Sequence, residues 1–89
     1  MAQRKEISQK TLVRAKYKVF NELCTAYMRS KDAAALRADD VRRRLGIPEN
    51  VFAEVLAGFI NEIQRAVEVF ESNGERYLRL SESARENCD

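Results

Sequence analysis

The segment from Ala38 to Asn61 constrains the fold of this chain most strongly, because it reads as two helices joined by a tight turn. Asp39 and Asp40 place negative charge in a first helical turn, where the exposed backbone N–H groups favour it. Gly46 stands where a helix needs a left-handed residue to end, and Pro48 suits the first turn of a second helix. An apolar face at helical spacing follows, formed by Val51, Phe52, Val55, Leu56, Phe59, Ile60 and Ile63. This pattern predicts a helix-turn-helix.

The dipeptide Asn73-Gly74 is the preferred loop of a two-residue β-hairpin, since both positions need positive φ. This loop sets a register in which two facing pairs are apolar, two carry opposite charges and one is aromatic. A register shifted by one residue would lose all of these pairs. The facing pairs are Ser72–Glu75, Glu71–Arg76, Phe70–Tyr77, Val69–Leu78, Glu68–Arg79 and Val67–Leu80. Val67, Val69, Leu78 and Leu80 are expected to face the core, and Glu68, Phe70, Tyr77 and Arg79 the other side.

A long first helix is predicted from Ser8, which is placed to cap it, to about Met28. Its core stripe is expected to be Val13, Tyr17, Phe20, Cys24 and Tyr27, widened by Leu12, Val19 and Leu23. The solvent-facing side of the helix then carries Lys10, Arg14, Lys18, Asn21, Thr25 and Arg29. The basic end of that side is either a solvated surface or a contact to phosphate or a partner.

The run Leu45-Gly46-Ile47-Pro48, with apolar residues at Val41, Phe52 and Val55, resembles the helix-turn-helix of the winged-helix family of small prokaryotic regulators. The resemblance continues through the hairpin into a segment similar to the one that follows the wing in that family, Leu80-Ser81-Glu82-Ser83-Ala84-Arg85. It therefore covers roughly residues 36 to 86. It implies an α+β winged helix-turn-helix with a three-helix core, a two-stranded wing hairpin and a short C-terminal helix. Arg42 and Ala84 depart from the family pattern, which usually has alanine and often has glycine at these positions.

Two further elements are expected, one before the helix-turn-helix and one after the hairpin. Ser30 to Arg37 is either a short edge strand anchored by Leu36, as winged helices often have, or a helical extension through the alanines at 33–35. Ser81 offers a cap for a final helix through about Asn87. Residues 1–7 are polar and expected to be disordered, and residues 8–89 are expected to form a single winged-helix domain.

Composition argues against an enzyme. The chain has no histidine, the usual general base near neutral pH, and no glycine-rich phosphate loop, so no cofactor is expected. Cys24 is expected to be a small core residue and Cys88 an exposed free thiol, which gives neither a disulfide framework nor a metal site. No apolar run could span a membrane and no secretory signal is evident, which favours a cytoplasmic protein with no membrane partner.

The resemblance implies a DNA-binding transcriptional regulator that works on double-stranded DNA as a homodimer. The outward side of the second helix would be Glu49, Asn50, Ala53, Glu54, Ala57 and Asn61. The predicted DNA contacts are Arg42, Arg43, Arg44, Asn50 and Arg76. The net charge of +2 is uneven, with a balance of +5 over residues 1–18 and −5 over residues 48–89. Two glutamates of the second helix would therefore repel phosphate.

The alternative is a protein-protein interaction module on the same scaffold, with weak or no DNA binding. Its predicted partner patch is Phe70, Tyr77 and Arg79 on the outer face of the hairpin. The same two rings could instead cover the end of a helix within the fold.

Overall fold

Four helices and a three-stranded antiparallel sheet form a mixed α+β fold in the computed structural model, which describes residues 7–30, 35–63 and 65–88. The elements in chain order are α1 (Gln9–Ser30), β1 (Leu36–Arg37), α2 (Ala38–Leu45), α3 (Glu49–Asn61), β2 (Val67–Ser72), β3 (Glu75–Leu80) and α4 (Glu82–Arg85). No helix in these ranges is long and apolar enough to cross a membrane. The expected disorder of residues 1–7 is wrong for Ile7, which is half-buried and packs against the core, and residues 1–6 lie outside the described ranges.

The sheet has the strand order β1-β3-β2, and its hairpin confirms the register predicted from the Asn73-Gly74 loop at all six facing pairs. Asn73 and Gly74 have φ values of 53° and 78°, as the loop requires. Leu36 pairs with Leu78, so the edge strand, and not a helical extension, is present at this position. Residues 31–34, which include two of the alanines, lie outside the described ranges.

The α2–α3 turn forms as predicted. Gly46 ends α2 in the left-handed conformation, with φ 66° and ψ 31°, where a side chain would be strained. The N–H of Ile47 then donates to the carbonyl of Arg42 at 3.1 Å, and the Ile47 side chain is buried between the helices. Pro48 was predicted in the first turn of α3. It is instead the N-cap residue, with extended backbone, and the helix begins at the next residue.

The predicted apolar face of α3 is correct from Val51 to Phe59 and wrong beyond it. Ile60 is 43% exposed and Ile63 is fully exposed. The helix ends at Asn61, and Glu62 has extended backbone with φ −70° and ψ 140°. Ile63 therefore leaves the helical period, and spacing alone could not show where the helix stops.

The predicted core stripe of α1 is correct in part: Val19 and Leu23 are buried, and Leu12, Phe20, Cys24 and Tyr27 pack against the core, but Val13 and Tyr17 do not and Ala15 was missed. The buried residues of α1 are Ala15, Val19 and Leu23, while Val13 and Tyr17 are 53% and 67% exposed. The prediction followed the largest apolar side chains, but α3 packs closely against a face that includes the small Ala15. The helix begins as predicted, with the Ser8 hydroxyl accepting the Thr11 N–H at 3.1 Å, and runs to Ser30.

The prediction of a free, exposed thiol at Cys88 is wrong. Cys88 is 8% exposed and forms a disulfide with Cys24, with 5.3 Å between the two Cα atoms. The Ser81 hydroxyl caps α4 as predicted by accepting the Ala84 N–H, and α4 ends at Arg85. The turn after α4 brings Cys88 back to α1. Because the two cysteines are 64 positions apart, their meeting depends on the whole fold.

Candidate functional site

The exposed face of α3 carries polar side chains and two alanines. Its six predicted outward residues are all exposed: Glu49, Asn50, Ala53, Glu54, Ala57 and Asn61. Asn50 lies in the first turn of the helix and is exposed. The short side chains on this face would let a flat or grooved ligand approach the helix closely.

A groove separates α3 from the hairpin, and Arg76 lies across it. The pocket at the α2 end has a volume of about 250 Å³ and is lined by Ala38, Asp39, Arg42, Glu49, Phe52, Ala53, Leu56 and Arg76. The adjoining pocket, of about 360 Å³, extends along α3 to Ile60 and is also lined by Phe70 of β2. The Arg76 side chain is 52% exposed, and its guanidinium forms a long ion pair with the Glu71 carboxylate, at 3.9 Å. Arg76 is therefore beside α3, as its predicted role requires.

Arg42 is the most enclosed of the three predicted arginines on α2, with 21% of its side chain exposed. Its guanidinium donates to the Ile47 carbonyl at 3.3 Å and to the Asp39 carboxylate at 3.4 Å, and lies 3.8 Å from the Glu49 carboxylate. These contacts connect α2, the turn and the first residue of α3. Arg42 thus lies along the turn and is held there by contacts to both of the segments that it joins.

Arg43 and Arg44 are exposed, but each has a carboxylate partner. Arg43 pairs with Asp39 at 2.9 Å, and Arg44 pairs with Glu22 of α1 at 2.6 Å. The two arginine side chains are 70% and 68% exposed, so an anion could still reach them. It would have to compete with the carboxylates, which lowers the net charge that these two residues offer.

The turn between α2 and α3 is bordered on its other side by cations of α1. A pocket of about 220 Å³ there is lined by Thr11, Arg14, Ala15, Lys18, Leu45, Gly46, Ile47, Pro48 and Val51. Arg14 and Lys18 were not among the five named DNA contacts, but they belong to the basic end of α1, for which a contact to phosphate or a partner was one of two alternatives. The sequence shows that these two residues are four positions apart on the solvent-facing side of α1. It does not show which other element lies beside that side of the helix.

The outer face of the sheet brings together the three residues of the predicted partner patch. The Phe70 and Tyr77 rings are stacked, with centroids 5.8 Å apart and planes at 21°. The Arg79 guanidinium lies 5.3 Å from the Phe70 centroid and pairs with Glu68 at 2.8 Å. Among the described residues, the core and the side chains packed on it include neither ring.

The same face is bordered by a second ion pair. Arg37 of β1 donates to the Glu75 carboxylate at 2.9 Å, and this hydrogen bond raises the pKa of Arg37. The charges on this face are thus mostly paired with one another. What remains uncommitted is the stacked aromatic surface.

Comparisons with known proteins give no relative for this chain: no family model matches it, and no curated protein or solved structure is significantly similar to it. A functional assignment therefore depends on the geometry and charge described above.

Proposed function

We propose that this chain is a winged-helix domain that binds double-stranded DNA by placing α3 in the major groove, as a small transcriptional regulator. The observation that supports this most is the surroundings of α3. Its uncovered polar face has a cation on each flank, with Arg76 on the hairpin side and Arg14 and Lys18 on the α1 side. A major groove about 12 Å wide admits one helix, and flanking cations would then meet the phosphates on both sides of it.

In this arrangement the residues have distinct roles. Asn50, near the start of α3, would read a base edge, and an asparagine pairs best with adenine. Arg43, Arg44 and Arg76 would contact phosphate, since their guanidinium groups are accessible. Arg42 would act through the turn, because its contacts set the position of α3 relative to α2.

The glutamates of α3 reduce affinity without excluding the groove. The Glu49 carboxylate lies 3.8 Å from Arg42, which offsets part of its charge. Glu54 forms no ion pair with any residue in the described ranges and faces outward. Two copies acting as a homodimer would double the number of phosphate contacts and compensate for this repulsion.

Selection of duplexes from a random-sequence library tests the proposal. The wild-type chain should enrich a preferred site, and Asn50→Ala should relax the preference at one base pair, at a cost of about 1–3 kcal/mol. Asn61→Ala is the matched control, because it removes the same side chain about 16 Å further along the helix axis. Failure of the wild type to enrich any duplex over the starting library would argue against base reading by α3.

The stacked rings of Phe70 and Tyr77 favour a second candidate, a protein-interaction module. Aromatic side chains at the edge of a groove are typical anchors of protein interfaces. Capture from native lysate, with and without nuclease, separates the two candidates. A protein that stays bound after nuclease treatment and is lost with Tyr77→Ala would support this candidate, and capture that disappears with nuclease would support DNA.

A further inference from the structure

Three cations of α1 differ from the arginines of α2 in having no carboxylate partner among the described residues. Lys10, Arg14 and Lys18 are spaced by four, which places them along one side of the helix, and all three are exposed. No ion pair joins any of them to another residue in the described part of the chain. Lys16, between them in sequence, is on a different side and pairs with Glu62 at 2.8 Å.

This row runs toward the α2–α3 turn. Arg14 and Lys18 line the same pocket as Gly46, Ile47, Pro48 and Val51. The pocket therefore brings two cations of α1, neither of which has an ion pair within the described ranges, beside the first turn of α3, which is the end that carries Asn50. Arg76 lies on the opposite flank of α3, in the groove toward the hairpin.

We propose that Arg14 and Lys18 bind the phosphate backbone of the DNA strand that passes the α2–α3 turn, across α3 from the strand that Arg76 contacts. This inference depends on the proposed binding of DNA by α3 and specifies where most of the electrostatic affinity originates. The arginines of α2 contribute less, because an anion must first compete with Asp39 and Glu22. At Arg14 and Lys18 no carboxylate of the described residues competes with an anion.

The spacing of the two side chains suits a single strand. Residues four apart on a helix are separated by about 6 Å along its axis. Successive phosphates of one DNA strand advance by about 3.4 Å along the duplex, so about 6 Å corresponds to roughly two steps, and two long side chains at this spacing can contact two phosphates of the same strand. An arginine can bind one phosphate with two parallel N–H donors, while a lysine acts as a point charge.

The test is the salt dependence of binding to a mixed-sequence duplex, measured by fluorescence anisotropy. The double variant Arg14→Ala, Lys18→Ala should flatten the slope of log K against log salt by about 1.8, which is about 0.9 for each lost contact. Affinity near 0.1 M salt should fall by between about tenfold and a hundredfold. Arg29→Ala is the matched control on the same helix, about 16 Å beyond Lys18 along the axis, and should leave the slope unchanged.

The outcomes separate this inference from the proposal on which it depends. If the wild type binds and the double variant shows the same slope, the contact at Arg14 and Lys18 is refuted while DNA binding stands. If the wild type does not bind at low salt, both are refuted. Because the two side chains are exposed, both the alanine double variant and Arg14→Gln, Lys18→Gln should melt at the wild-type temperature. The glutamine variant should reproduce the change in slope, which distinguishes a lost charge from a disturbed helix.

Discussion

Cys24 in the second half of α1 and Cys88 after α4 are joined by a disulfide that closes a loop of 64 positions around α2, α3 and the sheet. The bond holds the C-terminal turn of the chain against α1, where Cys88 is buried. In a domain of 89 residues, which has little stability in reserve, a cross-link of this span is a major constraint on the unfolded chain.

Loss of this disulfide should lower the free energy of unfolding by up to about 4 kcal/mol, the value that loop-closure entropy gives for a loop of this length. The measurement is urea unfolding with and without dithiothreitol. The double variant Cys24→Ser, Cys88→Ser should resemble the reduced wild type and should not respond to the reductant. Two titratable thiols in the unreduced, urea-unfolded wild type would contradict the pairing.

The same substitution at two glycines should act in opposite directions. Gly74→Ala should destabilise the fold by about 1–2 kcal/mol, because the residue has φ 78° in the hairpin loop. Gly58→Ala should stabilise it by up to about 1 kcal/mol, since alanine favours the helix and the added Cβ would meet the Lys16 side chain at an ordinary contact distance of 3.5 Å. Thermal melts of both variants provide the comparison.

Gly74→Val should be worse than Gly74→Ala, because a β-branched residue is strained at positive φ. Ser72→Val, at an exposed strand position beside the loop, is the control for valine itself and should change the melting temperature little. Equal melting curves for Gly74→Val and the wild type would argue against the observed loop.

Arg42 and Arg43 should differ in their effect on stability. Arg42→Ala removes a hydrogen bond to the Ile47 carbonyl and two ion pairs from a largely enclosed side chain, so we expect a loss of about 1–2 kcal/mol. Arg43→Ala removes one exposed pair and should cost less than about 0.5 kcal/mol. Equal losses in chemical denaturation would show that the turn does not depend on Arg42.

The parts of the fold that the sequence predicted correctly are those that local chemistry determines. The Asn73-Gly74 loop allows one register with matched pairs, and Gly46 ends a helix because few other residues adopt its conformation. Ser8 and Ser81 cap helices through hydrogen bonds to residues three positions away. These features need no knowledge of the remainder of the chain.

Features that depend on packing between distant segments were not predictable in this way. Which side of α1 is buried depends on how α3 crosses it, so Ala15 is covered while the larger Tyr17 is exposed. The partnership of Cys24 and Cys88 depends on the path of the chain after α4. For the candidate site, the sequence indicated which residues of α3 are exposed. It could not show that the α2 arginines have carboxylate partners, whereas Arg14 and Lys18 have none in the part of the chain that the structure describes. The roles of these residues in DNA binding stay predictions.

Removing charge from α3 should strengthen DNA binding. Glu54→Gln eliminates an outward carboxylate that has no ion pair among the described residues, so affinity should rise by about two- to fivefold at low salt, within the range expected for an exposed charge. Glu86→Gln, an exposed acidic position after α4, is the matched control and should have no effect. Unchanged affinity with Glu54→Gln would place the DNA away from α3.

The most direct test of DNA binding is the association of the wild-type chain with mixed genomic duplex fragments as salt is varied from about 50 to 200 mM. We predict clear binding at the low end that weakens steeply as salt rises, because phosphate contacts supply most of the affinity. Absence of any association at the lowest salt would contradict the account, and the stacked surface of Phe70 and Tyr77 would then be the first candidate for a protein partner.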